Sequence, residues 1–232
     1  MRAFFAGIVT VVMTVLIGTS CILVWPISPR GWLQQKLMWV WARTILAASG
    51  VRLDLVGREH VRGQPFVIVC NHASMLDICL CAAVVPVPFR FVSRPFFFKI
   101  PFLGWGMYCA DHISLDPRNP REAAKVLPEL GKRLKRGVSV LLFPEGTRSP
   151  DGSVARYRRG PFLTAIREGV AVLPLHLSKV HERLPKGRFS IRPGTVRVTY
   201  GEPISTVGKR DRDARPMAAE VEAWTREQAD RA

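Results

Sequence analysis

Between Arg2 and Arg30 the chain carries no charged residue. That absence leaves "AFFAGIVTVVMTVLIGTSCILVW" almost wholly apolar, and about 20 such residues let a helix cross the hydrocarbon core of a bilayer. Acidic residues are scarce throughout: 18 Asp and Glu face 34 Lys and Arg, a formal net charge of +16. The excess points to an anionic partner, which could be nucleic acid, an anionic membrane surface or a phosphorylated substrate. Tyrosine is rare, with three residues, and no nucleic-acid-binding module is recognisable, which counts against nucleic acid. C-x-x-C spacing is missing as well. Cys21, Cys70, Cys79, Cys81 and Cys109 are odd in number and lie mostly in apolar surroundings. They read as small buried hydrophobes in a reducing compartment, not as a disulfide frame or a zinc site. No histidine stands at ligand-like spacing from His72, so no metal is expected. Internal repeats and low-complexity stretches are lacking too.

What is present fits one sizeable core: 232 residues, 48% of them hydrophobic, too few for two comfortable domains. The uncharged run reads as a retained membrane anchor that ends at Pro26 and Pro29. A cleaved leader, suggested by the small residues of "GTSC", is the competing reading. "LQQKLMWVWARTILAA" follows, interrupted by Lys36 and Arg43, and reads as an interfacial helix with Trp32, Trp39 and Trp41 near the headgroups. A re-entrant hairpin is the other arrangement this pattern allows. Arg30, Lys36, Arg43 and Arg52 all follow the first helix, which places the rest of the chain on the cytoplasmic side of an inner membrane.

After Gly50 short β-branched runs alternate with longer amphipathic segments. "VRLDLVG", "PFVIVC", "FRFVS", "VSVLLF", "VAVLPLHLS" and "TVRVTYG" read as strands. "SMLDICLCAAVV", "PREAAKVLPELGKRLKRG" and "GPFLTAIREG" read as helices, the second with Pro128 inside it. The alternation predicts an α/β fold with a mainly parallel central sheet flanked by helices, behind an N-terminal membrane-associated helical segment. The expected divisions are an anchor over 1–50, a catalytic domain over 51–205 and a C-terminal surface helix over 206–232.

In "VIVCNHASMLDICL" a buried strand stops at Asn71-His72, and one carboxylate, Asp77, follows. Ligands of α/β sheets meet the carboxyl ends of strands. Ser74 is the expected N-cap of the next helix. Asp77 would lie in its first turn, so the loop can bend back to bring His72 and Asp77 together as a base and the carboxylate that orients it. A lone His-Asp pair is also a common structural arrangement. "VSVLLFPEGTRSPDG" repeats the design, with a strand ending at Glu145-Gly146-Thr147-Arg148. Gly146 suits a tight turn, and Arg148 is suited to clamping a phosphate. "KIPFLGWGMYCADHISLDPR" carries Lys99, Asp116 and Arg118 around an apolar loop.

Together these stretches resemble the 1-acyl-sn-glycerol-3-phosphate acyltransferase family of glycerolipid acyltransferases, from about Val51 to Pro203. "NHASMLD" matches the family's first motif, N-H-x-x-x-x-D. "IPFLGWGMYCADHISLD" resembles its second, "FPEGTRS" matches its third and "VLPLHLS" is similar to its fourth. The resemblance implies that His72 is the general base and Asp77 its orienter. It implies that Glu145, Gly146, Thr147 and Arg148, with Lys99, Asp116 and Arg118, bind the glycerol phosphate, and that Pro174 shapes the acyl side. It further implies transfer of a fatty acyl chain from acyl-CoA or acyl-carrier protein to the sn-2 hydroxyl of lysophosphatidic acid at a lipid bilayer. No further cofactor is implied. The second motif departs from the family pattern at Asp111, where glycine is usual, and at Pro117, where arginine is usual. Arg159 stands where lysine is common.

The chemistry is consistent with these residues. A neutral imidazole can remove an alcohol's proton as it attacks, and a thioester's thiolate leaves readily, so direct transfer is expected without an acyl-enzyme. Backbone N–H groups near "NHAS" are the expected oxyanion donors. Three rival readings are another lysolipid acceptor such as lyso-ornithine lipid, metal-dependent hydrolysis by His72, Asp77 and Glu145, and a non-enzymatic basic membrane adaptor.

Overall fold

The computed structural model describes residues 2–63, 65–116, 119–188 and 190–231. Within them lies one sheet of β1 (Val51–Val56), β2 (Phe66–Cys70), β3 (Phe89–Ser93), β4 (Ile113–Ser114), β5 (Ser139–Leu142), β6 (Ala171–Leu177) and β7 (Gly194–Tyr200). The order is β1-β7-β6-β2-β5-β3-β4, and every neighbouring pair is parallel except β6 and β7. The six strands expected from sequence are all present. The two-residue β4 is additional, too short to leave a periodic signal.

β2, at the sheet centre, is apolar at every position because both faces are covered, as parallel sheets require. In β2, Phe66, Ile68 and Cys70 join one core cluster while Val67 and Val69 join the other. β5 and β6 split the same way, with Leu141, Leu173, Leu175 and Leu177 on the first side and Val140, Leu142 and Val172 on the second. The first side is closed by α2 (Trp32–Ser49) and α3 (Leu76–Val84). The second is closed by α6 (Pro120–Lys135), α7 (Gly160–Glu168) and α9 (Ala214–Asp230). α6 runs through Pro128 without ending there.

The packing adds to three expectations at this level. α2, read from sequence as an interfacial helix, packs one face into the protein, with Ala42, Ile45 and Leu46 in the first core cluster. Its Trp41 Nε1–H donates to Thr14 Oγ1 at 3.1 Å, so this ring meets α1 (Arg2–Val24); Trp32 alone of the three tryptophans is exposed. α9, the expected C-terminal surface helix, turns one face inward, with Ala214, Met217, Ala218 and Val221 buried against the sheet. A helical period announces that a helix has a buried face, but not what buries it. Packing thus runs across positions 50 and 205, through α2 and α9.

α1 lies against α2, and α5 (Leu103–Cys109) crosses it where Gly18 meets the Phe102 backbone. It is long and apolar enough to cross a membrane. Its outer side leaves Phe4, Phe5, Val11, Leu16 and Leu23 exposed. A buried polar cluster ties the hairpin to β3. Gln35 Oε1 accepts from Phe89 N–H and from Arg90 Nη1, both at 3.1 Å. Arg90 also donates to the carbonyls of Phe89 and Arg30. All five cysteines are buried and free.

Candidate active site

The carboxyl ends of β2, β5 and β3 open on one edge of the sheet, and the polar motifs meet there. β2 ends at Cys70, and Asn71 then extends its pairing with side-chain atoms. Its Nδ2 donates to Leu177 O at 3.0 Å and its Oδ1 accepts Leu177 N–H at 2.8 Å. This amide imitates a strand rung while letting the backbone turn away. The next residue, His72, is thereby released from the ladder at a fixed place.

His72 is held by its peptide as well as by its ring. Its N–H donates to Glu145 Oε1 at 2.8 Å, and its carbonyl accepts Ser149 N–H at 2.8 Å. The imidazole stacks on Phe143 with centroids 4.0 Å apart and an interplanar angle of 17°. Nδ1 lies 2.7 Å from Asp77 Oδ2. A carboxylate there makes Nδ1 the protonated nitrogen and leaves Nε2 with a lone pair.

Asp77 stands in the first turn of α3, as its spacing predicts. Ser74 is not the N-cap, however; Met75 is. Ser74 Oγ accepts Leu76 N–H and donates to Leu184 O. Asp77 takes over the capping from inside the helix, its Oδ2 accepting Ala73 and Ser74 N–H at 2.8 Å each. One buried oxygen thus collects three donors. This also removes the expected oxyanion hole: the amides of His72, Ala73 and Ser74 all donate to carboxylates already.

Glu145 is likewise redirected. The family resemblance puts it at the substrate phosphate, but it is 5% exposed and lies beneath the loop. Its two oxygens accept His72 N–H and Ala155 N–H. A carboxylate would repel a phosphate, whereas here it braces the turn that carries the imidazole. Burial lifts its carboxyl from 4.5 to about 7, against the pull of these two amides. Over that interval the folded chain holds a proton that the unfolded chain releases, so stability declines as pH rises from about 4.5 to about 7. Glu145→Gln is expected to flatten this part of the curve. Thermal melts of both proteins across the window check it, and equal slopes would assign the titration to another group.

Gly146 adopts φ +73°, which favours glycine. Arg94, just past β3, donates to Gly146 O at 3.2 Å. Thr147 is exposed and Arg148 half-buried, next to the Ser149 amide that binds His72. Lys186 Nζ approaches Arg148 O at 3.5 Å. Lys99 is exposed at the end of α4 (Pro95–Phe98). Asp116 is half-buried just past β4, and Arg118 lies outside the described residues. Pro174 is not brought to the site. It is buried inside β6 at the level of Val69, and a Cβ on Gly201 would fall 3.0 Å from both Pro174 and Trp224. Asp111, at the family's glycine position, has φ 60° and binds Arg133 at 2.6 Å. Aspartate is among the few side chains that tolerate this region.

His112 and His176 are interior, and burial pushes them down to about 3 and about 4. His60 bonds Tyr200 O. No group of three metal-ligating side chains occurs among the described residues. Asn71, Phe143 and Arg94 went unassigned in the sequence. The polar Asn71 closing an apolar run and the arginine at a strand's carboxyl end are signals that could have marked two of them.

Residues 52–178 match the family model described as Acyltransferase. A 1-acyl-sn-glycerol-3-phosphate acyltransferase of Chlamydomonas reinhardtii is 35% identical over 69% of this chain and 48% of its own length. The chloroplastic enzyme of that name from Arabidopsis thaliana is 36% identical over 66% of this chain and 44% of its own. The chain thus spans about half the length of these two relatives. The Pseudomonas aeruginosa protein of the same name is 28% identical over 90% of this chain and 83% of its own. The crystal structure of the 1-acyl-sn-glycerophosphate acyltransferase PlsC from Thermotoga maritima superposes with a TM-score of 0.83. It is 25% identical, over 100% of this chain and 97% of that one.

Proposed function

The chain belongs to the acyltransferase family, and from that premise we propose that it moves a fatty acyl chain from a thioester donor to the sn-2 hydroxyl of lysophosphatidic acid. The observation that carries the proposal is the His72–Asp77 pair at 2.7 Å, fixed by its peptide to the loop bearing Arg148. In this mechanism His72 Nε2 takes the hydroxyl proton as the oxygen attacks the thioester carbonyl. Asp77 stabilises the imidazolium that forms. The carbon–sulfur bond then breaks, and the departing thiolate recovers the proton. Arg148 and Lys99 hold the acceptor phosphate, with Asp116 in the same acceptor region. The relatives described above carry the name of the glycerophosphate acceptor and none carries that of an ornithine lipid, so lysophosphatidic acid is the acceptor proposed.

Membrane attachment runs through α1. Its apolar outer side is uncovered by the described residues, while its inner side is fastened to α2 and through it to the catalytic core. A helix packed against both α2 and α5 suits burial in one leaflet better than a crossing. The excess of basic residues after it supports a site facing an anionic leaflet, as the cytoplasmic face of an inner membrane offers.

Thiol release from acyl-CoA in vesicles, with and without lysophosphatidic acid, tests the function. Acceptor-dependent release is expected, and its absence with both acyl-CoA and acyl-carrier protein would overturn the reading. A guanidinium fork matches a phosphate better than an ammonium does. Arg148→Ala is therefore expected to raise the apparent KM for lysophosphatidic acid by roughly 10–100-fold and to lower kcat. Arg148→Lys should have a smaller effect in the same direction. Varying each substrate in turn decides it: a selective rise in the acyl-CoA KM would move Arg148 to the donor.

A further inference from the structure

Four arginines stand around an open cleft of about 420 Å3: Arg156, Arg158 and Arg159 in the loop before α7, and Arg215 on α9. Among the described residues no ion pair engages Arg156, Arg159 or Arg215. One carboxylate lines the cleft, Glu222, and both its oxygens are occupied. Oε2 accepts Tyr157 N–H at 2.8 Å, and Oε1 accepts Arg226 at 3.0 Å. Among the described residues Arg156 and Arg215 have no carboxylate within ion-pair distance, and Arg159 feels Asp211 at longer range, an arrangement suited to phosphate.

The arginines sit on a braced segment. Tyr157 lies among them in sequence, is buried, and donates its hydroxyl to Thr225 Oγ1 at 3.1 Å. The loop is thus pinned to α9 by backbone and side chain together. It is also joined to the catalytic turn. Ala155 N–H donates to Glu145 Oε2 at 3.3 Å, the carboxylate whose other oxygen holds His72. Arg158 N–H donates to Pro144 O at 3.0 Å, and a Cβ on Gly146 would fall 2.9 Å from the Arg158 guanidinium carbon. The cleft and the imidazole thus flank the same turn. The proposed reaction needs an extended ligand with a thioester at one end, and coenzyme A carries its phosphates at the other. The intervening pantetheine is uncharged and needs no ion-pair partner along the way.

We propose that this cleft seats the phosphate-bearing nucleotide end of the acyl-CoA donor. Arg156, Arg159 and Arg215 grip the phosphates and Arg158 stands between them and the site. The proposal rests on the acyltransferase reading for the ligand's identity, and its test separates the two. Adenosine 3′,5′-bisphosphate is titrated calorimetrically into the full chain, wild type and R156Q/R215Q, both substitutions lying on exposed positions. Binding is expected in the wild type and about tenfold weaker or worse in the variant, and R156K/R215K should recover part of it. Steady-state kinetics then compares acyl-CoA with acyl-pantetheine, which has no nucleotide. The variant should raise the KM for acyl-CoA and leave that for acyl-pantetheine unchanged. Equal bisphosphate binding by both proteins overturns the proposal, as does an equal KM rise for both donors. Sensitivity confined to acyl-carrier protein, with acyl-CoA unaffected, overturns it in favour of a protein donor. Binding without any turnover overturns the acyltransferase reading and leaves the anion cleft standing.

Discussion

His72→Ala is expected to lower acyl transfer by about 10²–10⁴-fold, the range a positioned general base supplies. The fold should survive. The imidazole lies at the polar edge of the sheet, and both hydrogen bonds of the residue's peptide to the 144–149 loop remain in alanine. The stacking on Phe143 is lost, at a cost of about 1 kcal/mol. Thiol release with saturating lysophosphatidic acid, measured beside a thermal melt, checks both parts. A variant that melts like the wild type and keeps about a tenth of its rate would place the base elsewhere.

Asp77→Asn is expected to be nearly as damaging, for a reason the hydrogen bonds make specific. Oδ2 accepts from His72 Nδ1, Ala73 N–H and Ser74 N–H. If the asparagine oxygen keeps that place, it accepts the same donors without a negative charge to stabilise the imidazolium. If the amide turns, its NH₂ faces two backbone donors and the wrong imidazole tautomer. Either outcome costs rate, about 10²–10⁴-fold. Either also weakens the start of α3 by about 1–2 kcal/mol, the usual loss of a cap. Assays well below the variant's melting temperature separate the two effects. If the folded variant transfers at near wild-type rate, Asp77 serves only to hold the loop.

Much of this site is legible from residue types in order. The strand ends, the His-Asp approach and the glycine turn before Arg148 all follow from spacing and local geometry. Direction is what spacing cannot supply. Glu145 has the chemistry of a surface ligand, yet it points inward because two amides, one of them 10 residues away, converge beneath it. The backbone N–H groups after Asn71 are the natural oxyanion donors until one learns that a carboxylate within four residues has claimed two of them. Pro174 belongs to a family motif, yet it sits in the sheet interior because β6 is buried along its length beyond Ala171. The segment holding α4 and α5 is rich in Pro, Gly and aromatics. Those residues mask a helical period, so neither short helix was foreseen. Amphipathic periodicity gave α2 and α9 their buried faces and was silent about which elements would cover them.

The buried cluster that joins the hairpin to β3 fixes how the attachment responds to ionic strength. Arg90 is 2% exposed, and its contacts are an amide oxygen and two backbone carbonyls, none of them charged. Mobile ions screen exposed charges over about 10 Å at 0.1 M salt and act much less on buried groups. The strongly basic surface will therefore release anionic partners as salt rises, while the hairpin keeps its hold on the catalytic core. A salt wash divides the molecule's interactions into two sets, and the one that holds the α1–α2 hairpin to the sheet is the set it does not reach.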